Sequence, residues 1–361
     1  LVARLGGDDF VVVMPDTDRN KACKLAHELN CISREPIEVK GRDLVASLSI
    51  GISLYPDDGT EIEEILGASE TAMRQTKKQA RGGFRFFGKG GNSNVRERLI
   101  IGSALRDALQ KTQLHLVYQP QICALTGTLC GVEALSRWQH PTLGFIPPST
   151  FIPIAEETGQ IEAIGLWSLD KSCQQVIEWE LNDVYVPVVS VNMSAVHFCS
   201  MDLPDQILSV LQKYNLAPQR LTIEITESVA MRQDPETAAN LTAIRDIGVG
   251  LSMDDFGTGF SSLSRLAQLP LTEIKIDRSF IENFENDISS LVVAEAAINI
   301  GKRLGIKVVT EGVEHEAQET KLQQLGCDIL QGYFYSRPLP ANDMSLWLDA
   351  FPTRRAASPL S

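Results

Sequence analysis

At 361 residues and 39.7 kDa the chain exceeds one average domain, and two is the natural expectation. Its formal net charge of -13 disfavours a protein that grips polymeric nucleic acid through phosphates, while a small phosphate ligand held through a metal stays compatible with it. No apolar stretch approaches the roughly 20 residues of a membrane-spanning helix.

The chain starts at Leu1 rather than Met, and VARL already reads as a strand. A fragment is therefore expected, which leaves room for an upstream sensor or membrane segment in the parent; no targeting signal is visible. Residues 1–91 read as half of an α/β domain. LVARL and FVVVMPD flank Gly6-Gly7-Asp8-Asp9, a turn-rich tetrapeptide that closes a hairpin. A helix over about 17–33, strands near 37–40 and 44–54, a helix over about 61–78 and a closing strand at 85–87 follow. The glycine-rich GKGGNSN at 88–94 marks a linker, and a leading helix in VRERLIIGSALRDALQ carries residues 92–111 into the second unit.

From 112 to about 350, before a tail at 351–361, strands and helices alternate. LHLVYQ and GVEAL come first, then a helix over 161–179, VPVVSVN, a helix over 203–214, LTIEIT, a helix over 235–247 and GLSMDD. EIKID, a helix over 288–304, KVVTE, a helix over 317–325, DILQG and a last helix from Ala341 complete the set. Eight strands with crossover helices predict a (β/α)₈ TIM-like barrel, of α/β class. Between Tyr118 and Val132 there is too little chain for a parallel crossover, and Thr126-Gly127 supplies a turn, so the first strand is expected to run antiparallel to the second.

The barrel's polar residues follow directly on short apolar runs: Glu133 in GVEAL, Asn192 in VVSVN, Glu224 in LTIEIT, Asp254 and Asp255 in GLSMDD, Lys275 in EIKID, Glu311 in KVVTE and Gln331 in DILQG. Each falls at a strand's carboxyl end, where barrels of this class place their active sites. Crowded carboxylates repel unless a cation neutralises them, so the set implies bound metal. Five histidines without ligand spacing disfavour zinc, and an all-oxygen site points to Mg²⁺ or Mn²⁺. Seven cysteines, an odd number with no CxxC pair, favour reduced thiols in a cytoplasmic protein. Blander roles compete. Asn192 could cap the segment from Ser194, and Lys275 could be a surface lysine, although its flanking isoleucines argue otherwise. Asp277, two residues from Lys275, could equally approach the site or support it structurally, and Glu156-Glu157-Thr158-Gly159 reads as a helix end without chemistry.

Glu133-Ala134-Leu135 with Arg137-Trp138, Tyr118-Gln119-Pro120, Asp254-Asp255-Phe256-Gly257-Thr258-Gly259, Glu311-Gly312-Val313-Glu314 and Gln331-Gly332 stand in an order that resembles the EAL family of cyclic di-GMP phosphodiesterases. The resemblance covers about 95–346. Residues 1–91 resemble the carboxyl-terminal half of a GGDEF diguanylate cyclase domain. It implies hydrolysis of cyclic di-GMP to linear pGpG with two Mg²⁺ or Mn²⁺ ions. By the same resemblance Glu133, Asn192, Glu224 and Asp254 ligate the first metal, and Asp254, Asp255 and Glu311 hold the second. Lys275, Glu311 and Gln331 serve the reacting water and phosphate, Gln119 and Arg137 contact substrate, and Glu227 tethers the loop at Gly257 to Gly259. A homodimer through the barrel is implied, with GTP and an upstream sensor as further partners of the parent. GGDDF departs from the family's GG(D/E)EF, and AMRQTKKQARGGFRFF keeps Lys77 and Arg81 as phosphate contacts but lacks the usual tyrosine and glycine-arginine-asparagine run. Cyclase activity is therefore not expected of this chain. The alternatives are a non-catalytic cyclic di-GMP receptor and a bifunctional parent; the residues alone say metal-dependent barrel enzyme acting on a phosphate ester.

Overall fold

The computed structural model describes residues 1–6, 9–15, 17–33, 37–39, 42–44, 48–79, 83–87, 100–232, 234–257, 263–282, 284 and 287–351. The chain divides into two compact units, Leu1–Ile100 and Ile101–Ser361.

In the first unit Val2–Gly6 and Asp9–Val12 pair antiparallel, Val2 opposite Val12, as the expected hairpin; Gly7 and Asp8 lie outside the described residues. Helices Arg19–Ser33 and Ile62–Gln79 occupy the predicted stretches. The strand expected over 44–54 appears as two pieces: Arg42–Leu44 pairs antiparallel with Ile37–Val39, and Ile50–Ile52 pairs parallel with Phe84–Phe86. The expected linker at 88–94 and Arg81 lie outside the described residues, and the leading helix is described over 100–108.

The second unit holds eight strands that close on themselves: β1 (Leu114–Cys123), β2 (Leu129–His140), β3 (Val189–Asn192), β4 (Leu221–Thr226), β5 (Gly250–Phe256), β6 (Glu273–Ile276), β7 (Lys307–Thr310) and β8 (Ile329–Gln331). From β2 to β8 each strand pairs parallel with the next, and β1 closes the ring antiparallel to both β2 and β8. The short β1–β2 connection permits only that direction. β2 runs well beyond GVEAL and turns back through Gly144–Ile146. Helix Pro148–Glu157, of which only the end was legible, follows.

Side chains alternate along a strand, so pairing register decides which residues share the barrel interior. Gln119 opposes Glu133, Glu133 opposes Ser190, Asn192 opposes Glu224, Glu224 opposes Ser252, Ser252 opposes Glu273, Lys275 opposes Val309, and Gln331 opposes Gln121. One continuous inward face thus carries the polar residues. The alternate positions, among them Val189, Val191, Leu221, Ile223, Ile225, Leu251, Met253, Ile274, Ile276 and Val308, are fully or almost fully buried in the hydrophobic cluster outside the ring. This explains why the strands read as apolar runs: one face packs under helices and the other is polar but enclosed. A second cluster gathers Ile101, Leu105, Phe151, Ile154 and Ile164 around the fully buried Trp138. Among the described residues no helix is long and apolar enough to cross a membrane, and Cys23, Cys123, Cys130, Cys173, Cys199 and Cys327 are free thiols.

Immediately after β8, Gly332 lies against the Val313 backbone, whose N–H donates to Gln331 O at 3.1 Å and whose carbonyl accepts from Phe334 N–H at 2.9 Å. A methyl group there has only backbone to displace. Gly332→Ala is expected to cost about 1–3 kcal/mol, read from urea denaturation. A loss below about 0.5 kcal/mol would show that this contact yields without cost.

Candidate active site

Lys275 is wholly buried on β6, and its ammonium is the centre of the carboxyl rim. Nζ lies 2.6 Å from Glu311 Oε1, 3.0 Å from Glu224 Oε2, 3.2 Å from Glu133 Oε2 and 3.5 Å from Asp254 Oδ1. The four carboxylates come from β2, β4, β5 and the segment after β7, so only a closed barrel brings them to one point. A surface role for Lys275 is thereby ruled out.

Glu133 is further held by amides. Its Oε1 accepts from Asn192 Nδ2 at 2.8 Å and its Oε2 from Gln331 Nε2 at 2.6 Å. The exposed Asn192 thus directs its amide to Glu133 rather than capping the segment from Ser194. Gln331 Nε2 also donates to Gln119 Oε1 at 3.1 Å, and Gln119 Nε2 donates to the Ser336 carbonyl at 3.2 Å.

Electrostatics follow from this crowding. Burial opposes the ammonium, but the charges of Glu133, Glu224, Glu311 and Asp254 outweigh it and hold Lys275 well above the ordinary lysine range. Burial and then the Glu133 charge push Glu224 well above the usual carboxylate range. For Glu133 burial is overcome by the Lys275 charge and the amides of Gln331 and Asn192, which hold it below that range. Burial raises Glu311 against the pull of Lys275. Asp255 is pushed up to about 6 by burial and by the charges of Asp254 and Asp277.

Two adjacent residues on a regular strand face opposite ways, but the strand is not regular at Asp254 and Asp255. The β5–β6 register shifts between Met253 and Phe256, so β5 carries one extra residue there, and Asp255 adopts φ 58°. Asp254 Oδ1 accepts the Asp255 N–H at 3.0 Å, which braces the bulge. The next turn is caught from β4's far end: Glu227, 5 % exposed, accepts the Gly257 N–H on Oε2 at 3.1 Å. Thr258 and Gly259 of the tethered loop lie outside the described residues. Arg137 is half-buried on the Glu133 face of β2, donates to the Ser136 carbonyl at 2.9 Å and makes no salt bridge among the described residues. Asp277 caps the turn Arg278–Phe280 by accepting from Ser279 N–H at 3.0 Å, and Glu156 accepts from Ser194 Oγ at 2.6 Å.

Among the described residues no three His, Cys, Asp or Glu side chains form a metal cage as they stand; Lys275 Nζ lies where the carboxylates converge. Three features nonetheless fit hard divalent cations. The available donors are all oxygens. Four acidic side chains face a single ammonium, so the acids outnumber the cation and repel one another. Glu224 Oε1 is buried with no hydrogen-bond partner among the described residues, although an unmet carboxylate oxygen in such a place is costly.

Residues 103–338 match the EAL domain model, and residues 1–83 match that of the diguanylate cyclase GGDEF domain. The chain belongs to the EAL domain family. It is 44 % identical to the oxygen sensor protein DosP of Escherichia coli over 97 % of this chain and 43 % of that protein. It is 41 % identical to the bifunctional diguanylate cyclase/cyclic di-GMP phosphodiesterase MucR of Pseudomonas aeruginosa, over 95 % of this chain and 50 % of that one. The EAL-family chain thus spans about half the length of these curated relatives. A solved complex of the PaMucR phosphodiesterase with c-di-GMP is similar over 68 % of this chain and 99 % of its own, at 43 % identity and a TM-score of 0.64.

One residue of this EAL barrel escaped the sequence reading. Gln121, 3 % exposed, donates from Nε2 to Gln331 Oε1 at 3.0 Å. It stands mid-strand rather than after an apolar run, and its only signal was its place two residues beyond Gln119, on the same face of β1.

Lys275→Met keeps the side chain's length and removes the charge, stranding buried carboxylates. Chemical denaturation in EDTA should show about 3–5 kcal/mol of lost stability. A change below about 1 kcal/mol would mean that the carboxylates do not depend on the ammonium.

Proposed function

We propose that the barrel hydrolyses one phosphodiester bond of cyclic di-GMP to give linear pGpG. The observation that carries this reading is the convergence of Glu133, Glu224, Asp254 and Glu311 on the buried Lys275, inside a barrel of the EAL family. A phosphodiester is anionic and repels nucleophiles, so its hydrolysis needs dense, fixed positive charge.

Glu133, Asn192, Glu224 and Asp254 would hold one Mg²⁺ or Mn²⁺, and Asp254, Asp255 and Glu311 a second. Such cations supply Lewis-acid charge at the phosphate and make water a nucleophile at neutral pH. The chain's own residues do the rest. Glu311, kept partly open at 21 % exposure, orients the attacking water and accepts its proton at a carboxylate oxygen. Lys275 sets positive charge beside the non-bridging oxygens. Gln331 fixes the Glu133 carboxylate and orients water near it. Gln119 contacts the substrate, and the guanidinium of Arg137 donates to phosphate oxygen. Glu227, through the Gly257 N–H, ties the loop after β5 to the site and to the barrel surface through which two copies pair.

In this reading residues 1–91 are a GGDEF-like unit, 92–111 a linker and leading helix, 112–350 the catalytic barrel and 351–361 a tail. The protein works in the cytoplasm as a homodimer, and the parent answers to an upstream sensor and to GTP at the GGDEF-like unit.

Purified chain incubated with cyclic di-GMP and Mg²⁺, Mn²⁺ or EDTA, resolved chromatographically, should form pGpG only with metal. Glu133→Ala and Lys275→Ala should each lower turnover by about 100-fold or more. Tight binding without turnover under every metal condition would sink the enzyme reading and leave a receptor.

A further inference from the structure

Three glutamines stand together inside the barrel, Gln119 and Gln121 on β1 and Gln331 on β8, at 8 %, 3 % and 3 % exposure. Amide nitrogen and oxygen are nearly alike in shape, so a glutamine can sit either way round unless its partners decide. Here they do. The chain of hydrogen bonds ends on two groups that only accept, the Glu133 carboxylate and the Ser336 carbonyl. Reasoning inward, Gln331 must turn Nε2 to Glu133 at 2.6 Å, and its second hydrogen then meets Gln119 Oε1 at 3.1 Å. Gln119 must in turn aim Nε2 at Ser336. This leaves Gln331 Oε1 facing away from the acids, where Gln121 Nε2 donates to it at 3.0 Å.

We propose that Gln121 is a positioning residue for the reaction: by donating to Gln331 Oε1 it keeps the Gln331 amide turned so that Nε2 holds Glu133 Oε2. The inference rests on the phosphodiesterase reading above and adds a residue that lies outside the acid cluster. With Gln331 reversed, its carbonyl oxygen would face both the Glu133 carboxylate and Gln119 Oε1, and its NH₂ would face that of Gln121. Glu133 would keep Asn192 on Oε1 and Lys275 beside Oε2 but lose the amide donor on Oε2, and its plane would no longer be set by an amide on each oxygen.

Two substitutions separate orientation from packing. Gln121→Glu preserves shape but, as a carboxylate, offers Gln331 Oε1 no donor and draws Nε2 toward position 121. Gln121→Met preserves length and removes the donor without attracting Nε2. If orientation is the role, kcat falls about 10- to 100-fold in Gln121→Glu and less in Gln121→Met. KM should stay within about threefold of wild type. The Gln331 side-chain amide signals in a ¹H–¹⁵N spectrum of metal-free protein, assigned from their loss in Gln331→Leu, should move in both variants. Wild-type kcat and unmoved Gln331 signals in both variants would overturn the proposal. So would activity lost only in proportion to unfolded protein, read from melting curves. If the wild-type chain forms no pGpG, the phosphodiesterase reading fails by itself, and the amide signals still decide whether Gln121 orients Gln331.

Discussion

A single buried ammonium organises the acid side of this barrel. At an effective dielectric near 20, a unit pair ~3 Å apart attracts by ~5 kcal/mol. Stripping water from the ammonium costs several kcal/mol, which one such pair roughly matches and four exceed. Lys275 therefore remains charged in a place where an isolated lysine would neutralise. The carboxylates fare differently. Each gains one cation and faces three other acids, and Glu224, with no exposure and one oxygen unmet, is driven toward its neutral form. A site that holds its cation firmly while its acids strain against one another is built to accept further positive charge, and that demand connects the ion pairs to metal and phosphate chemistry.

The ring makes that concentration of charge feasible. In an open sheet the inward face would meet water or a helix, and glutamate on it would be solvated or excluded. Closure by β1, running against its neighbours, encloses the face and seals it with amides instead of apolar groups. Gln119, Gln121 and Gln331 lie on the two strands that meet at the closing seam; Gln331 donates to Glu133 Oε2, and the other two glutamines bond Gln331. Helix packing outside the ring is independent of this polar interior because strand alternation assigns successive residues to different environments.

Much of this was legible in the chain, for identifiable reasons. VSVN, LTIEIT and EIKI are short and rich in β-branched residues, and each carries its polar residue at or near its end, so strand and site were read together. The helices expected over 235–247 and 288–304 begin where the Asp234 and Asp287 carboxylates accept the N–H groups of Thr237 and of Ser289 and Ser290. What stayed hidden depends on register or on through-space partners. No local pattern announces the extra residue at Asp254-Asp255, since GLSMDDF reads as ordinary strand. Helix Pro148–Glu157 was obscured by Pro147, Pro148 and Pro153, which signal breaks although Pro148 sits harmlessly in the first turn. Gln121 was hidden because its importance lies in Gln331, 210 positions away.

The bulge itself shows how the fold carries local cost for chemistry. An acid residue in the left-handed region is disfavoured by roughly 1–2 kcal/mol, and here it is placed where burial and two other acids already raise its free energy. Nothing in β5 alone would keep Asp255 there. The Asp254 carboxylate holds the Asp255 N–H from inside the rim, and Glu227 holds the Gly257 N–H from the end of β4, so the backbone is pinned on both sides of the strained residue. Gly257, at φ 99°, continues the turn in a conformation a side chain would resist, and Phe280 and Val293 crowd the space a Cβ would take. Asp254 therefore both belongs to the charged cluster and braces the backbone beside it. A change in the charge around Asp254 therefore bears directly on the Asp255 N–H that its carboxylate holds, so the ion pairs and the bulge share one residue.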